Sequence, residues 1–587
     1  MRDRLLVRHF LLRFLDHDLI SPHADRREVL TITCAMVIVS SLFLSFFLAV
    51  KYQFNLFLPP GLTAILALDD RFFLFSLSMI VMALLAVAEW DALALDARDA
   101  AVLGPLPVPT AVIVRAKFAA IALFAMAFDV GLAVGPTALR VLALPVRLPI
   151  TMAGALWLTA AHAVCALAAG AFGFTAILGV RESCRALLGA AIFRRLSAAL
   201  QAALVVLLMT ALLLLPGRYA QVALRWMTHT HVSAVAVPPL WFVGLHETLA
   251  GSVIDGLPRG APPRRFAIAE RDATALYRNL WPQFHRLGRV AIAGFLMVLL
   301  VTTAACAWNH RRLPSGTEKR IEPTTFPMRV LSRMVSRVAV RSPAGQAGFV
   351  FTIQTLTRSA SHRVTLAASV AIAFSIALIT LGALNLDRTF TPATTPLSLF
   401  AMQTLIVAVL LTGFRHLVRV PADSRASWVF QMAWAGGERR YVAGSKRAAL
   451  ALLVVPALLS TWAVGSFLFP AIAMAHVIVG ATVALLLMSA LFFTYRRLPF
   501  ATGYAGAGDL KAVAPLGASA IAIGAVVVAA FERAALESPA AELAFEATLI
   551  ALLVAVDSIE TRRRARPTVL EFDELPSDAT QRFELTR

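Results

Sequence analysis

Charged residues are scarce in this chain of 587 residues, at 15% of the total. A soluble domain carries about 25%, so this chain has too few polar groups to cover large soluble domains. Among the charged residues the acidic ones are fewer, with 34 aspartates and glutamates against 54 lysines and arginines. The basic residues stand beside apolar stretches rather than on one face, which predicts contact with membrane lipid and argues against a nucleic-acid partner.

Cysteines are also few, and no two of them are closely spaced in the sequence. The four are Cys34, Cys165, Cys184 and Cys306. The sequence therefore predicts no disulfide framework and no zinc site. His229 and His231 form a His-x-His pair, but the spacing supplies no third ligand, so we predict no metal there either.

Long apolar runs are abundant. Hydrophobic residues make up 59% of the sequence, and its mean hydropathy is +0.76. A run of about 17–25 apolar residues crosses a bilayer as a helix. The sequence predicts an all-α polytopic membrane protein with about twelve spans, at residues 30–50, 72–89, 118–135, 150–180, 197–215, 290–307, 364–384, 396–418, 448–466, 470–494, 514–531 and 540–557.

A polar stretch after the sixth span divides the prediction into two six-helix halves, an arrangement typical of transporters. The predicted organisation is a first half at 1–308 with a long outer loop at 216–289, a cytoplasmic linker at 309–341, a second half at 342–560 and a polar cytoplasmic tail at 561–587. Residues 4–20 and 347–361 open the two halves with helical periodicity, which is typical of helices lying in the membrane interface. The arginine-rich loops lie on one side, so the positive-inside rule places both termini in the cytoplasm.

The segment after the second span combines charges with two prolines. Its spacing predicts a short helix lying along the membrane over 90–100, ended by Pro105 and Pro107. A rigid, charged segment facing the cytosol is suited to receive a push from a soluble partner, and the alternative is an ordinary interfacial loop. The predicted contact residues are Trp90, Asp91, Asp96, Arg98, Asp99, Leu106 and Pro107.

The stretch 76–117, SLSMIVMALLAVAEWDALALDARDAAVLGPLPVPTAVIVRAK, resembles the permeases of ABC-2-type exporters, in particular a bacterial branch with a W-D-x-L…R-D-x-x-V-L-x-P-L-P-V loop. PPLWFVGLHETLAG (238–251), SRASWVFQMA (424–433) and RRLPFATGY (496–504) extend the similarity. The resemblance covers most of the chain, although the loop at 419–447 lacks the L-P-L-P-V sequence.

This resemblance implies a permease of the bacterial cytoplasmic (inner) membrane that exports substrate with a separate ABC ATPase subunit. ATP would be bound by that partner, and the chain itself would bind no cofactor. The segment Trp90–Pro107 would contact the partner, and a homodimer is compatible with the resemblance. A partly re-entrant outer segment would lie at Pro238–Gly251, with Pro238, Pro239, Trp241 and Glu247 as its marked residues.

No nucleotide-binding motif supports ATP hydrolysis by this chain. GGERRYVAGSK (436–446) ends in Gly-Ser-Lys, whereas a phosphate-binding loop needs Gly-Lys-Ser/Thr after a buried strand. We interpret it as part of a basic cytoplasmic loop.

Asp129 lies inside the predicted third span, where a carboxylate costs roughly 2.5–3.5 kcal/mol on insertion scales. One hypothesis makes it a polar point on a transport path, with His162 or His476 as companions. The alternative is a structural position near the outer headgroups or a pair with Arg140. Gly131 and Gly135 in the same span form G-x-x-x-G, which predicts close packing against another helix.

Two other functions remain open. A secondary transporter would couple to ions through buried acids, of which only Asp129 fits the predicted spans. A membrane enzyme acting on a lipid-linked substrate would use Asp69 and Asp70, predicted in the first outer loop, although an Asp before an apolar helix more often caps it. A purely structural membrane protein is the third alternative, and apolar helix faces do not encode a substrate.

Overall fold

The computed structural model describes residues 2–14, 26–54, 60–90, 93, 108–147, 151–218, 234–255, 267–311, 340–383, 394–422, 437–493, 495, 497–501, 508–536 and 538–564. These ranges contain helices and no strand, which confirms the all-α prediction. The chain divides into two compact units, Met1–Ile321 and Glu322–Arg587. This boundary lies inside the stretch 309–341 that the sequence marks as a linker.

The helices of the first unit are α1 (Arg2–Phe14), α2 (Arg26–Phe54), α3 (Pro60–Ala88), α4 (Thr110–Arg147), α5 (Met152–Arg218), α6 (Pro238–Asp255), α7 (Ala267–Asn279) and α8 (Trp281–Arg311). Those of the second unit are α9 (Pro343–Arg358), α10 (Ala360–Gly382), α11 (Leu397–Leu417), α12 (Glu438–Ala449), α13 (Val455–Leu468), α14 (Ala473–Phe492), α15 (Gly508–Ala535) and α16 (Pro539–Arg564). Several begin with proline, which suits the first helical position because its missing N–H has no partner there.

Nine helical stretches in the described ranges are long and apolar enough to cross a membrane. Many of their large apolar side chains face outward: Leu296, Met297 and Leu300 on α8 are each more than half exposed. A water-soluble protein would not present such a surface, and lipid covers it without cost. The chain is therefore a multi-pass membrane protein.

The predicted fourth and fifth spans form one helical run, α5, rather than two separate helices. Its 67 residues would extend about 100 Å at 1.5 Å per residue, far beyond a hydrocarbon core of about 30 Å. Gly189 interrupts the run with φ 74° and ψ 160°, a backbone conformation that is essentially restricted to glycine. The run is thus two limbs, 152–188 and 190–218, joined at a kink.

The G-x-x-x-G prediction is confirmed in the contact between α4 and α2. A Cβ atom at Gly135 would lie 2.4 Å from the backbone oxygen of Ser41, so the two backbones touch. The Ser41 hydroxyl donates to the Leu132 carbonyl at 2.7 Å and accepts from the Gly135 amide at 3.0 Å. Small residues allow this approach, and the hydroxyl satisfies backbone groups where no water is present.

Both units begin with a short helix that packs against the start of the third span. In the first, α1 contacts α4, with Phe10 buried and the Lys117 Nζ 5.4 Å from the centre of its ring. In the second, α9 contacts α12, where the Cβ absent from Gly348 would lie 2.2 Å from the Tyr441 carbonyl oxygen. The two predicted amphipathic segments thus pack on helices of their own unit.

The predicted loop at 419–447 is wrong at its end, because α12 already begins at Glu438. Gly437 precedes it with φ 95°, which a glycine adopts without strain. GSK at 444–446 therefore lies on a helix rather than in a phosphate-binding loop. A π-helical turn, Leu450–Val454, joins α12 to α13; Pro456 in the next turn has no N–H to donate to the regular ladder.

Candidate functional site

Asp69 and Asp70 lie inside α3, so their placement in an outer loop and as helix caps is wrong. Both are buried, and the carboxylate of Asp70 accepts from the Lys51 ammonium of α2 at 2.6 Å. The predicted second span began at 72 because hydropathy falls at these charges. The helix instead continues back to Pro60, since a partner from α2 compensates the charge.

A buried ionic cluster joins α3, α6 and α7. The guanidinium of Arg71 donates to Glu247, which also accepts from the hydroxyl of Tyr277. The Nδ1 atom of His246 lies 3.1 Å from the same carboxylate. Arg71 is 7% exposed, and Glu247 and His246 are 0% exposed. The ion pair is therefore shielded from solvent, and its contacts join three helices.

This cluster keeps Glu247 ionised. The helix α6 is not among the nine candidate spans found in the described residues. Burial alone would raise the pKa of Glu247, but the positive charge of Arg71, the imidazole of His246 and the hydroxyl of Tyr277 outweigh it and lower the pKa to about 2. A carboxylate stabilised this strongly is a fixed charge at physiological pH.

His162 is fully buried beside this cluster. Its ring stacks on Phe75 of α3 with 5.4 Å between centres, and it meets the His246 ring edge-on at 6.0 Å. Asp129 of α4 contacts α3 three residues beyond Phe75, where its Oδ1 accepts from the Ser78 hydroxyl at 3.2 Å. Ser78 also donates to the carbonyl of Ala166, one helical turn beyond His162. The two residues that the sequence singled out thus contact neighbouring positions of α3, Phe75 and Ser78.

Asp129 is enclosed by neighbouring helices. It is 3% exposed, and a Cβ at Gly170 of α5 would lie 2.0 Å from its Oδ1. The proposed companion His476 belongs to the second unit, and the side chain of Arg140 lies outside the described residues. A role for Asp129 in transport stays a prediction.

Trp90, predicted at the membrane interface, is instead completely buried at the end of α3. Its indole N–H donates to the Ser197 hydroxyl at 2.8 Å, and its ring stacks on Phe193 at 6.5 Å. The Arg181 guanidinium lies 5.6 Å from the centre of the indole ring. Arg181 precedes the Gly189 kink and the other two follow it, so both limbs of α5 hold Trp90.

Hydrogen bonds extend this anchor to α8. Arg181 pairs with Glu182, and the amide of Asn309 donates to the Glu182 carboxylate at 2.7 Å. On the other limb, Gln201 donates to the carbonyl of Val87 at 3.1 Å. The end of the second span is therefore tied to α5 and α8. Leu93 is also buried, and Asp91, Asp96, Arg98, Asp99, Leu106 and Pro107 lie outside the described residues.

The predicted re-entrant segment 238–251 is a helix, α6, of 18 residues. Pro238 and Pro239 are half-buried in its first turn. The N–H of Trp241 donates to the Val235 carbonyl at 2.8 Å and its ring meets Phe172 of α5 edge-on. Glu247 belongs to the ionic cluster, while His229 and His231 lie outside the described residues.

A second buried histidine–carboxylate pair occurs in the second unit. The Nδ1 atom of His476 on α14 lies 2.6 Å from the Oε1 atom of Glu532 on α15. The two residues are 2% and 1% exposed. The predicted span at 514–531 stopped one residue before Glu532, which lies in the last turn of α15. The predicted span at 72–89 likewise began one residue after Arg71, because hydropathy falls at these charges.

No family model matches this chain, and no match to it was found among curated proteins or solved structures.

Proposed function

We propose that this chain is the membrane subunit of an ATP-driven exporter of the ABC-2 type, which works with a separate nucleotide-binding subunit at the cytoplasmic face. The observation that supports the proposal best is the burial of Trp90. The segment that resembles the partner-binding loop of such permeases begins at this residue, and Trp90 is held by both limbs of α5.

The anchor would serve as a rigid mechanical connection. A force applied by the ATPase to the segment after Trp90 would reach α5 through Ser197 and Arg181, and α8 through Glu182 and Asn309. Because packed interfaces rearrange as units rather than bending gradually, the spans of the first unit would move together. This motion would open the transport path to the outside.

The test begins with the affinity-tagged chain purified from its native membrane in mild detergent. We expect an ATPase polypeptide to copurify, and inside-out vesicles that contain both to accumulate exported material only with ATP. Trp90→Ala should retain the partner but hydrolyse ATP without transport, while Trp462→Ala, at a 40% exposed position in the second unit, should behave like wild type. Absence of any ATPase, together with transport that needs no ATP, contradicts the proposal.

An ion-coupled secondary transporter is the second candidate. The buried ionic groups favour it more than the sequence suggested, because Arg71, Glu247, His476 and Glu532 add to Asp129. Ionisable groups buried among membrane spans often mark ion or proton paths. Uptake driven by an ion gradient in vesicles of the purified chain alone would select this candidate.

A further inference from the structure

The carboxylate of Glu532 in the second unit has fewer positive partners than the carboxylate of Glu247 in the first. In each unit a phenylalanine of the second span packs against a buried histidine of the fourth. The ring centres are 5.4 Å apart both for Phe75 with His162 and for Phe400 with His476. The residue four positions before Phe75 is Arg71, which pairs with Glu247, whereas the residue four before Phe400 is Pro396.

Glu532 consequently has no arginine in the place of Arg71. Among the described groups, its one ionic partner is His476, and the nearby Glu546 carboxylate of α16 acts on it with like charge. Its Oε1 atom faces the imidazole, while its buried Oε2 atom has no hydrogen-bond partner in the described part of the chain. A buried carboxylate oxygen without a donor is costly when ionised and is relieved by protonation.

The surroundings of His476 fix its position. Its ring meets Phe400 and Phe469 edge-on, which leaves apolar walls around the pair. Gln403 of α11 donates to the backbone carbonyl of His476 at 2.6 Å and accepts from the Thr461 hydroxyl of α13 at 2.8 Å. The imidazole is thereby held at the carboxylate by two further helices.

We propose that Glu532 and His476 form a proton-binding site of the second unit, at which one proton exchanges with the aqueous phase beside the turn between α15 and α16. Ser538 in this turn is exposed, one to two helical turns from Glu532. The proton adds to the Glu532–His476 pair and leaves from it without any other bond changing. Within the described residues no three His, Cys, Asp or Glu side chains are arranged to hold a metal ion.

Other charged groups lie near the site on α15 and α16. On α16, Glu546 accepts from Thr482 of α14 at 3.4 Å, and Glu542 lies one turn before it. Arg533 follows Glu532 on α15. Loss of the proton would leave the Glu532 and Glu546 carboxylates repelling each other, which would favour separation of α15 from α16. Proton binding therefore favours the packed arrangement of these helices.

The proposal is tested by infrared difference spectroscopy of the full chain in lipid nanodiscs, titrated between about pH 5 and 8. We expect a protonated carboxyl band that titrates in wild type and is lost in Glu532→Gln. Asp557→Asn is the control, since it makes the same chemical change at an exposed carboxylate of the second unit, and the band should remain. A band that survives in Glu532→Gln, is lost in Asp557→Asn or is absent from wild type overturns the proposal.

A second variant covers the case in which Glu532→Gln does not fold. His476→Gln removes the imidazole but keeps a side chain that can hydrogen-bond, and it should displace the midpoint of the band. An unchanged midpoint means that the titrating carboxyl lies elsewhere and the proposal fails. These measurements need neither ATP nor a partner, so their outcome is independent of the proposed exporter function.

Discussion

Arg71 and Glu247 form a buried ion pair within the first unit although 176 residues separate them in the sequence. Each removes the cost that the other would carry alone in an apolar interior. The pair also joins α3 to α6, and Tyr277 adds α7. It explains how a helix predicted to start at residue 72 includes Arg71 before that point.

Removal of one partner of this pair should destabilise the first unit. Glu247→Gln removes the carboxylate charge that pairs with the buried guanidinium of Arg71, and we expect a loss of about 3–5 kcal/mol. The measurement is thermal unfolding of the purified chain in detergent, monitored as the loss of the monodisperse peak in size-exclusion chromatography. Asp557→Asn, at an exposed position on α16, is the control and should change stability by less than about 0.5 kcal/mol.

The contribution of Glu247 should be constant near neutral pH and decline in acid. Its pKa in the folded chain is about 2, against an ordinary value of 4.5. The lowered pKa means that its stabilising effect is complete above 4.5 and is lost as the pH falls towards 2. The difference in unfolding temperature between wild type and Glu247→Gln should therefore stay level from pH 8 to 5 and narrow below 4.5. A difference that narrows already above pH 5 contradicts this assignment.

The glycine contact between α4 and α2 predicts an asymmetric response to alanine. Gly135→Ala places a methyl group against the Ser41 backbone, and the forced separation should cost about 1–3 kcal/mol. Gly524→Ala on α15 meets no atom within 4 Å and should be neutral or stabilising by up to about 1 kcal/mol. Thermal unfolding of Gly135→Ala and Gly524→Ala, measured side by side, checks this prediction. Equal changes in the free energy of unfolding would refute the close contact.

Local patterns in the sequence predicted the helices and the close glycine contact, because hydropathy and small-residue spacing are local properties. They failed where distant residues compensate a local cost. Asp70 is tolerated inside α3 because Lys51 pairs with it, and Glu247 because of Arg71. The local hydropathy around Asp70 or Glu247 does not reveal its partner. The predicted spans therefore excluded both carboxylates.

The sequence identified some residues of the candidate site but not their partners. Trp90 and Asp129 were singled out from the sequence and both are buried, but the environment of each depends on α5. Its Gly189 kink brings Arg181 and Ser197 to the same indole, and the spacing of these residues in the sequence does not predict this. Glu532 was missed because a carboxylate at the end of a span is ordinary until its imidazole partner is known.

The kink itself should be sensitive to a single methyl group. Gly189 has open space around its missing Cβ, so Gly189→Ala creates no clash with neighbours, and its whole effect is backbone strain at φ 74°. We expect a cost of about 1–3 kcal/mol. If thermal unfolding of Gly189→Ala matches that of wild type, the kink does not require this conformation.

The hydrogen bond between Trp90 and Ser197 can be isolated by a double-mutant cycle. Trp90→Phe removes the indole N–H while keeping an aromatic ring beside Phe193, and Ser197→Ala removes the acceptor while leaving the helix intact. Each single variant should lose about 1–3 kcal/mol, because it removes the bond and leaves the other polar group without this partner. The double variant should lose less than the sum, with a coupling energy of about 0.5–1.5 kcal/mol, measured by unfolding in detergent. Strict additivity would mean that the indole is held by packing alone; the anchor would then not depend on this bond, and Trp90→Phe would remain a competent connection to α5.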